Sequence, residues 1–379
     1  MSFLAIGTLI SIREVATNVL EIPTGVMADA FGRRKAMLFG FAAYIVSFIL
    51  FYLGSSYWMF ALAMIAFACG DTFRSGTHKA MILEHLRSCG CEDRKVAYYG
   101  KTRAASQLGS ALASLIAAGL VFWTGNYRII FLASTLPYVL NLLLLASYPQ
   151  ALDGQHIEHG SVGWRMMQTR FASTLRSLIT LLKDPCTLRG LLSSASFDAL
   201  FKSTKDYLQP IVQAHALALP LFLGLHGEQR TAILVGVVYF LIYLATSFAS
   251  SRAGLVQAHL SSPAAGINLT LGVGIALLVL AGLAAWMHLD AIAIVAFVGV
   301  FVVQNLRRPM IVGYLADRMH HRVMASGLSV EAQLRTLLMA AMAPLVGWMA
   351  DQLGVGAAIV LLSGAVLLIS PLFLARGDR

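Results

Sequence analysis

The sequence predicts an all-α, polytopic membrane protein, and its composition and apolar runs carry that prediction. Of the 379 residues, 58% are hydrophobic and only 12% are charged, which is about half the charged fraction of a typical soluble domain. Apolar runs of about 20 residues recur along the whole chain, and each can cross a hydrocarbon layer of ~30 Å as a helix. The sequence does not show the alternating segments of ~10 residues that are typical of a membrane β-barrel.

Eleven membrane spans are predicted from the apolar runs. They fall near residues 3–28, 36–54, 57–83, 101–123, 129–148, 187–213, 231–250, 264–286, 291–315, 324–349 and 355–375. The first 28 residues carry three charged side chains and lack the pattern of a cleavable signal peptide, so they are predicted to be a span.

Basic residues in the connecting loops predict which side of the membrane each loop faces. One set of alternate loops is rich in Arg and Lys, at 33–35, 87–95, 165–183, 252, 318–322 and 376–379, whereas the other set holds only Arg128 and Arg230. The positive-inside rule makes the first set cytoplasmic. The C-terminus is therefore expected in the cytoplasm, with the protein in a bacterial inner membrane. These basic loops account for the net charge of +10, so the charge does not indicate a nucleic-acid partner.

The chain is predicted to form two helical bundles, 1–148 and 187–379, joined by a cytoplasmic connector at 149–186. Within the connector, apolar residues recur every three or four positions from Trp164 to Leu182, with basic residues off that stripe. This pattern favours an amphipathic helix on the membrane surface, or an ordinary linker helix. A weak repeat supports a duplicated fold, because Arg74 precedes Glu84 by ten residues and Arg307 precedes Asp317 by the same interval.

One polar cluster between the first two spans carries a family resemblance. Residues 25–35 read GVMADAFGRRK, with Gly25, Asp29, Gly32 and paired arginines in fixed spacing. The cluster resembles the cytoplasmic loop signature of the major facilitator superfamily, and the first half is similar to bacterial drug and metabolite efflux members. The resemblance implies two six-helix bundles. It also places the signature after two spans, so the first span is expected to be missing, through a late start or a real truncation.

The same cluster has a physical interpretation as an inner gate. Gly32 permits a tight turn, and Asp29 at a helix end can accept backbone hydrogen bonds. Arg33 can pair with Asp29 or reach Glu84 at the inner end of another span. The predicted gate residues are Gly25, Asp29, Gly32, Arg33, Arg34 and Glu84. The alternative is that the basic residues only fix the topology.

Many charged residues fall inside the predicted spans, where each costs about 2.5–3.5 kcal/mol on insertion scales. We therefore expect them to line a path for substrate and protons. The predicted path residues are Arg13, Glu14, Glu21, Asp71, Arg74, Asp198, Lys202, Lys205, Asp206, Arg307, Arg308, Glu331 and Arg335. With Lys79 included, eight cations face six acids, and this excess favours an anionic or zwitterionic substrate.

Three acids near mid-depth are predicted to carry protons: Glu14, Asp71 and Asp198. A buried acid can take up a proton on one side of the membrane and release it when a cation approaches. The alternative is permanent ion pairing, which is the common solution for buried charges. The pairs would be Arg13–Glu14, Asp71–Arg74, Asp198–Lys202 and Glu331–Arg335.

These features predict a secondary active transporter that moves a small organic molecule by alternating access, coupled to protons and acting in efflux. The alternatives are an uptake permease for an anionic metabolite, a non-transporting membrane scaffold or sensor of this fold, and, ranked last, a membrane enzyme acting on lipids. The sequence has no Gly-rich nucleotide loop, and its four cysteines suggest neither disulfides nor a metal site. No catalytic residue, metal or cofactor is expected, and the protein is expected to be a monomer in the bilayer.

Overall fold

The computed structural model describes residues 1–90, 95–149, 172, 185–219, 224–260, 262–318 and 321–375. In these ranges the regular secondary structure is helical throughout, as predicted. The first five helices are α1 (Phe3–Phe31), α2 (Arg33–Leu53), α3 (Tyr57–Ser88), α4 (Lys95–Thr124) and α5 (Ile129–Ala146). Most of the connector predicted at 149–186, including its amphipathic helix, lies outside the described residues.

Seven α-helices follow the connector. They are α6 (Pro185–Thr204), α7 (Leu208–Ala218), α8 (Gly227–Ala258), α9 (Pro263–Trp286), α10 (Asp290–Arg318), α11 (His321–Leu353) and α12 (Val355–Ile369). A short 3₁₀ turn at Lys205–Tyr207 joins α6 to α7, and another at Ser370–Phe373 follows α12. Each of the eleven predicted spans has a helical counterpart, with α6 and α7 together corresponding to 187–213.

Nine helices in the described part of the chain are long and apolar enough to cross a membrane. The two predicted spans outside this set differ from the others in polarity. The second half of α3 carries several charged residues, and the stretch from α6 to α7 is rich in Ser, Thr and charged residues. The helix break between α6 and α7 has a local cause. Pro210 has no N–H to donate to the carbonyl of Asp206, and its ring clashes with that carbonyl.

Glycine and serine set the turns between neighbouring helices. Gly32 separates α1 from α2 with φ of 98°, and Gly354 separates α11 from α12 with φ of 87°. Both angles lie in the left-handed region that favours glycine. The side chain of Ser262 accepts a hydrogen bond from Ala265 N at 3.1 Å, so it caps the start of α9. The tight turn predicted at Gly32 is therefore present.

The described helices form two compact units. Unit 1 contains Met1–Thr8, Ala105–Gly125 and Thr174–Arg379, and unit 2 contains Leu9–Ala104 and Asn126–Ser173. The core of unit 1 is a continuous set of buried apolar side chains from α6 to α12, with Phe197, Ile242, Leu271, Ile275 and Phe297 all fully buried. This core holds α6, α9 and α10 against one another and so positions the polar residues between them.

The N-terminal pieces of unit 1 are held by specific polar contacts. The carboxylate of Asp351 at the end of α11 accepts hydrogen bonds from the backbone N–H groups of Phe3 and Leu4, each at 2.8 Å. An acid at this position satisfies helix N–H groups that have no partner within the helix. The side chain of Gln229 on α8 donates a hydrogen bond to the carbonyl of Phe122 on α4 at 2.8 Å.

Unit 2 is organised around an aromatic cluster where α2 packs against α3 and α5. Tyr44 lies at its centre, with ring centroids 5.0 Å from Phe67 and 5.1 Å from Tyr138. Phe48 also contacts Tyr138 edge to face, at 4.9 Å. Edge-to-face aromatic pairs add about 0.5–1.5 kcal/mol beyond the burial of their surface. The cluster therefore fixes the position of Tyr44, which is 1% exposed.

Candidate functional site

A buried polar cluster in unit 1 is built around Asp198 on α6, which is only 7% exposed. Gln304 on α10 donates a hydrogen bond to Asp198 Oδ1, and Arg308 on the same helix donates to Asp198 Oδ2 at 2.9 Å. Arg335 on α11 lies 3.8 Å from the same Oδ2 atom. One carboxylate therefore joins three helices, through cations on α10 and α11 that lie far along the sequence from the predicted partner Lys202.

The second acid of this cluster is Glu331 on α11. Its Oε1 atom accepts a hydrogen bond from Ser194 Oγ on α6 at 3.0 Å, and its Oε2 atom lies 4.0 Å from Arg335. The predicted pair of Glu331 and Arg335 is therefore present only as a long contact. Asp198 and Glu331 therefore both lie within 4.0 Å of the same atom, Arg335 Nη1.

Arg307 on α10 is also in unit 1 but is bound differently. Its side chain is 2% exposed, and its guanidinium donates to the backbone carbonyls of Ile267 and Ser193 and to the hydroxyls of Thr270 and Ser193. It also lies 5.3 Å from the centre of the Phe197 ring, a favourable cation–π arrangement. Arg307 thus holds α6, α9 and α10 together through neutral acceptors.

Unit 2 carries a smaller polar cluster formed by Tyr44, Asp71 and Arg74. The Tyr44 hydroxyl donates to Asp71 Oδ1 at 2.9 Å and accepts a hydrogen bond from Arg74 Nε at 3.0 Å. Arg74 also donates to Asp71 Oδ1 at 3.0 Å, which is the predicted i,i+3 pair. The side chains of Arg74 and Asp71 are 47% and 41% exposed, so the cluster is accessible.

Four of the remaining path residues form pairs with their sequence neighbours, and the other two, Glu21 and Lys202, are described by their burial. Arg13 donates twice to Glu14 Oε1, at 3.0 and 2.7 Å, so this predicted pair is present, and Glu14 is buried. Lys205 donates to Asp206 at 2.6 Å near the 3₁₀ turn, where both side chains are largely accessible. Glu21 on α1 and Lys202 on α6 are partly buried. Within the described residues, Lys205 and Asp206 form no hydrogen bond or ion pair with the Asp198 cluster.

The structure describes part of the segment that is predicted to form an inner gate. Gly25 lies within α1, Gly32 forms the turn, and Arg34 donates to the backbone carbonyl of Tyr148 at 2.7 Å. Arg34 therefore joins the start of α2 to the end of α5, a link that sequence reasoning missed. The side chains of Asp29 and Glu84 lie outside the described residues, so the predicted pairing with Arg33 stays a prediction.

Sequence reasoning also missed Tyr44, Ser194 and the role of Gln304. Tyr44 lies in an apolar run, where the local sequence pattern indicates packing only and does not show whether its hydroxyl is bonded. Ser194 belongs to a Ser-rich stretch of α6 whose polar side chains face inward. In the ranges that the structure describes, no group of three His, Cys, Asp or Glu side chains is placed to hold a metal ion.

The comparison with protein families decides the identity of this fold. The family model described as Major Facilitator Superfamily matches residues 1–333. The chain belongs to the Major Facilitator Superfamily. Membership agrees with the nine apolar helices and identifies an integral membrane protein of the secondary transporter type. A sequence comparison with curated proteins gave no significant match.

Solved structures of transporters resemble the chain over almost its whole length. The nucleoside transporter NupG is similar with a TM-score of 0.74 at 11% identity, covering 99% of this chain and 90% of that one. A POT family transporter in complex with 5-aminolevulinic acid gives 0.67 at 16% identity, covering 98% and 89%. A POT family transporter bound to a thioalcohol-conjugated peptide gives 0.71 at 14% identity, covering 98% and 89%. These likenesses confirm the fold.

Proposed function

We propose that this member of the superfamily is a proton-coupled exporter of a small organic molecule that works by alternating access. The observation that carries the proposal is the shared position of Asp198, a buried carboxylate bound by side chains from two other helices. The interactions of this carboxylate weaken when it is protonated, because a neutral acid loses its charge interaction with Arg308 and Arg335. Asp198 is therefore the leading candidate for the proton carrier.

The coupling step follows from the contacts of Asp198. While the carboxylate is charged, its interactions with Arg308 and Arg335 favour the packing of α6 against α10 and α11. Protonation weakens these contacts and allows the helices to separate, so the proton and the helix packing become linked. The rocking of two bundles around a central site is the general transport mode of duplicated transporter folds.

Asp71 and Glu14 in unit 2 are the other candidate proton carriers. Asp71 accepts both of its hydrogen bonds through Oδ1, and its Oδ2 atom has no hydrogen-bond partner among the described residues. This oxygen is available to bind a proton without breaking the contacts with Tyr44 and Arg74. Glu14 is more buried, and both hydrogen bonds from Arg13 likewise reach a single oxygen.

A second candidate function is uptake of an anionic metabolite, favoured by the excess of guanidinium groups in unit 1. The similar structures are a nucleoside transporter, a POT family transporter with a conjugated peptide and a POT family transporter with 5-aminolevulinic acid. The molecules named with these structures differ in chemistry. Because the shared feature is the fold, none of these ligands is assigned to this chain. Export and uptake differ in coupling, since proton antiport and proton symport respond to opposite gradients.

The experiment reconstitutes the full chain in proteoliposomes and measures solute accumulation across a panel of acids, amines and neutral compounds. Proton antiport predicts accumulation when the lumen is acidic, whereas symport predicts accumulation when the lumen is alkaline. A protonophore should abolish either response, and Asp198→Asn should abolish it without a protonophore. Flux that ignores the pH gradient would contradict proton coupling, and the absence of flux for every compound would contradict transport.

We also propose the topology that the loop charges predict, with the C-terminus cytoplasmic, bundles at 1–148 and 187–379, and a monomer in the inner membrane. Cys89 is exposed at the end of α3, in a loop predicted to be cytoplasmic. A membrane-impermeant maleimide should label Cys89 in inverted membrane vesicles and not in intact spheroplasts. Equal labelling from outside would reverse the topology.

A further inference from the structure

The guanidinium of Arg335 is buried but makes no hydrogen bond to any part of the chain that the structure describes. Its side chain is 15% exposed, and its Nε atom is buried without a partner. The nearest carboxylate oxygens, on Asp198 and Glu331, lie 3.8 and 4.0 Å away. These distances exceed the range of an N–H···O hydrogen bond, which ends near ~3.2 Å. Arg335 therefore has charge partners and unused donors.

Other arginines of unit 1 donate hydrogen bonds, whereas Arg335 donates none within the described residues. Arg307 donates to four acceptors, and Arg308 donates to Asp198 at 2.9 Å with its side chain 40% exposed to solvent. Arg230 on α8 donates to three backbone carbonyls. A buried charged donor without an acceptor is costly, because it has lost water and gained nothing in exchange. Arg335 is the cluster residue that would gain most from an added acceptor.

The charge of the cluster points to the sign of that acceptor. Arg308 and Arg335 lie within 4.0 Å of the carboxylates of Asp198 or Glu331, which balances these four charges. Arg307, next to Arg308 in α10, is buried with only neutral hydrogen-bond acceptors, so the three arginines and two acids together carry one excess positive charge. Buried charges in proteins are normally paired. A ligand with one negative charge would neutralise the cluster.

A second unpartnered atom shows what else the ligand would carry. The Oε1 atom of Gln304 is buried and has no hydrogen-bond partner, and the residue is 5% exposed. Its orientation follows from the hydrogen bond that Nε2 donates to Asp198, because the flipped amide would place two oxygens together. Gln304 and Arg335 both contact Asp198, so an unused acceptor and an unused donor flank the same carboxylate.

We propose that Arg335 binds the anionic group of the transported molecule, a carboxylate or phosphate next to a hydroxyl or amine that donates to Gln304. This inference rests on the transport function proposed above and names its substrate class. The planar fork of an arginine matches such an oxyanion with two parallel hydrogen bonds. The bound anion competes with Asp198 and Glu331 for Arg335, so substrate binding loosens the contact between α6 and α11.

The test measures thermal unfolding of the full chain in detergent with matched pairs of compounds. The pairs are lactate with lactamide, benzoate with benzamide, alanine with alaninamide, citrate with its trimethyl ester, and glycerol 3-phosphate with glycerol. At least one acid should raise the wild-type melting temperature while its uncharged or cationic partner does not. The acid that acts, carboxylate or phosphate, distinguishes the two oxyanion chemistries.

Variants assign the effect to Arg335. Arg335→Gln should abolish the stabilisation, and Arg335→Lys, which keeps the charge and loses the fork, should weaken apparent affinity about tenfold. The matched control is Arg252→Gln, which removes an exposed cation on α8 that packs on Phe248 and should leave the stabilisation unchanged. If Arg335→Gln does not fold, the apparent affinity of Arg335→Lys compared with that of the wild type still tests whether Arg335 binds the acid.

Three outcomes would overturn the inference: no acid stabilises the wild type, amide and acid stabilise it equally, or the stabilisation is as strong in the Arg335 variants as in the wild type. Because binding in detergent needs no gradient, these outcomes are separate from the transport test. Gradient-driven flux of uncharged compounds alone would leave the transport function standing and remove the anion site. Acid binding through Arg335 without any flux would support the anion site and contradict the transport function.

Discussion

The polar clusters of the two units solve the problem of charge among apolar helices in different ways. In unit 2, Asp71 and Arg74 lie one turn apart on the same helix, and the hydroxyl of Tyr44 bonds to both. In unit 1, Asp198 takes its partners from α10 and α11, and the acid is 7% exposed. The first cluster is local and accessible, whereas the second depends on the packing of three helices.

This difference has consequences for what each cluster can do. A pair on one helix persists when helices move, so the unit 2 cluster keeps its partners through a conformational change. A carboxylate shared between helices loses or regains partners whenever those helices shift. The unit 1 cluster is therefore suited to couple protonation and ligand binding to movement. In the unit 2 cluster, a proton can bind Asp71 Oδ2 while the contacts of Oδ1 with Tyr44 and Arg74 persist.

The largest expected effect comes from Asp198→Asn. The change removes the charge that Arg308 and Arg335 share, and breaking a buried pair costs about 3–5 kcal/mol, with the lower end expected because Arg308 is partly exposed. Unfolding followed in detergent should show this loss of stability. Asp290→Asn, in the first turn of α10, is the control and should change stability by less than ~1 kcal/mol. Equal effects for the two variants would show that Asp198 is not shared between helices.

A smaller effect is expected for Tyr44→Phe. The hydroxyl bonds to both Asp71 and Arg74, but these side chains can bind water instead, so the loss should be about 1 kcal/mol. Tyr138→Phe is the matched control, because Tyr138 belongs to the same aromatic cluster and its hydroxyl has no hydrogen-bond partner in the described residues. Thermal unfolding of both variants checks the prediction. If Tyr138→Phe destabilised the protein and Tyr44→Phe did not, the hydrogen bonds of the Tyr44 hydroxyl would not contribute to stability.

The smallest effect concerns the link between α2 and α5. Arg34→Gln removes the hydrogen bond to the carbonyl of Tyr148 and should destabilise the protein by about 0.5–1 kcal/mol. Lys35→Gln, at an exposed position in the same turn, removes an equal charge and should have no measurable effect. Hydrogen exchange at the end of α5 measures the local opening directly. Unchanged exchange in Arg34→Gln would show that the bond does not hold α5.

The sequence predicted the helices and the family, because apolar length and the spacing of residues 25–35 are local properties. It also predicted the pairs Arg13–Glu14 and Asp71–Arg74, which lie within one turn of a helix. It could not predict that Asp198 meets Arg308, since the two residues are 110 positions apart. Helix packing also decided that Arg307 is saturated while Arg335 is not, a difference that no spacing rule contains.

The same limit explains Tyr44 and Gln304. A tyrosine in an apolar run has the same local pattern whether its hydroxyl is idle or bonded, and only the approach of α3 supplies Asp71 and Arg74. Gln304 lies next to Arg307 and Arg308 in the sequence, so its place in the cluster was visible. Its hydrogen bond to Asp198 required the packing of α6 against α10.

Within unit 1, Arg307 is bound as a structural residue, whereas we propose that Arg335 binds a ligand. The most direct test compares the melting temperatures of Arg307→Met and Arg335→Met in detergent without ligand. Arg307→Met should fall clearly below wild type, because it removes hydrogen bonds to four acceptors on α6 and α9. Arg335→Met should fall less than Arg307→Met, because Arg335 donates no hydrogen bond in the described residues and its contacts with Asp198 and Glu331 are long, at 3.8 and 4.0 Å. A melting temperature for Arg335→Met as low as that of Arg307→Met would contradict the account.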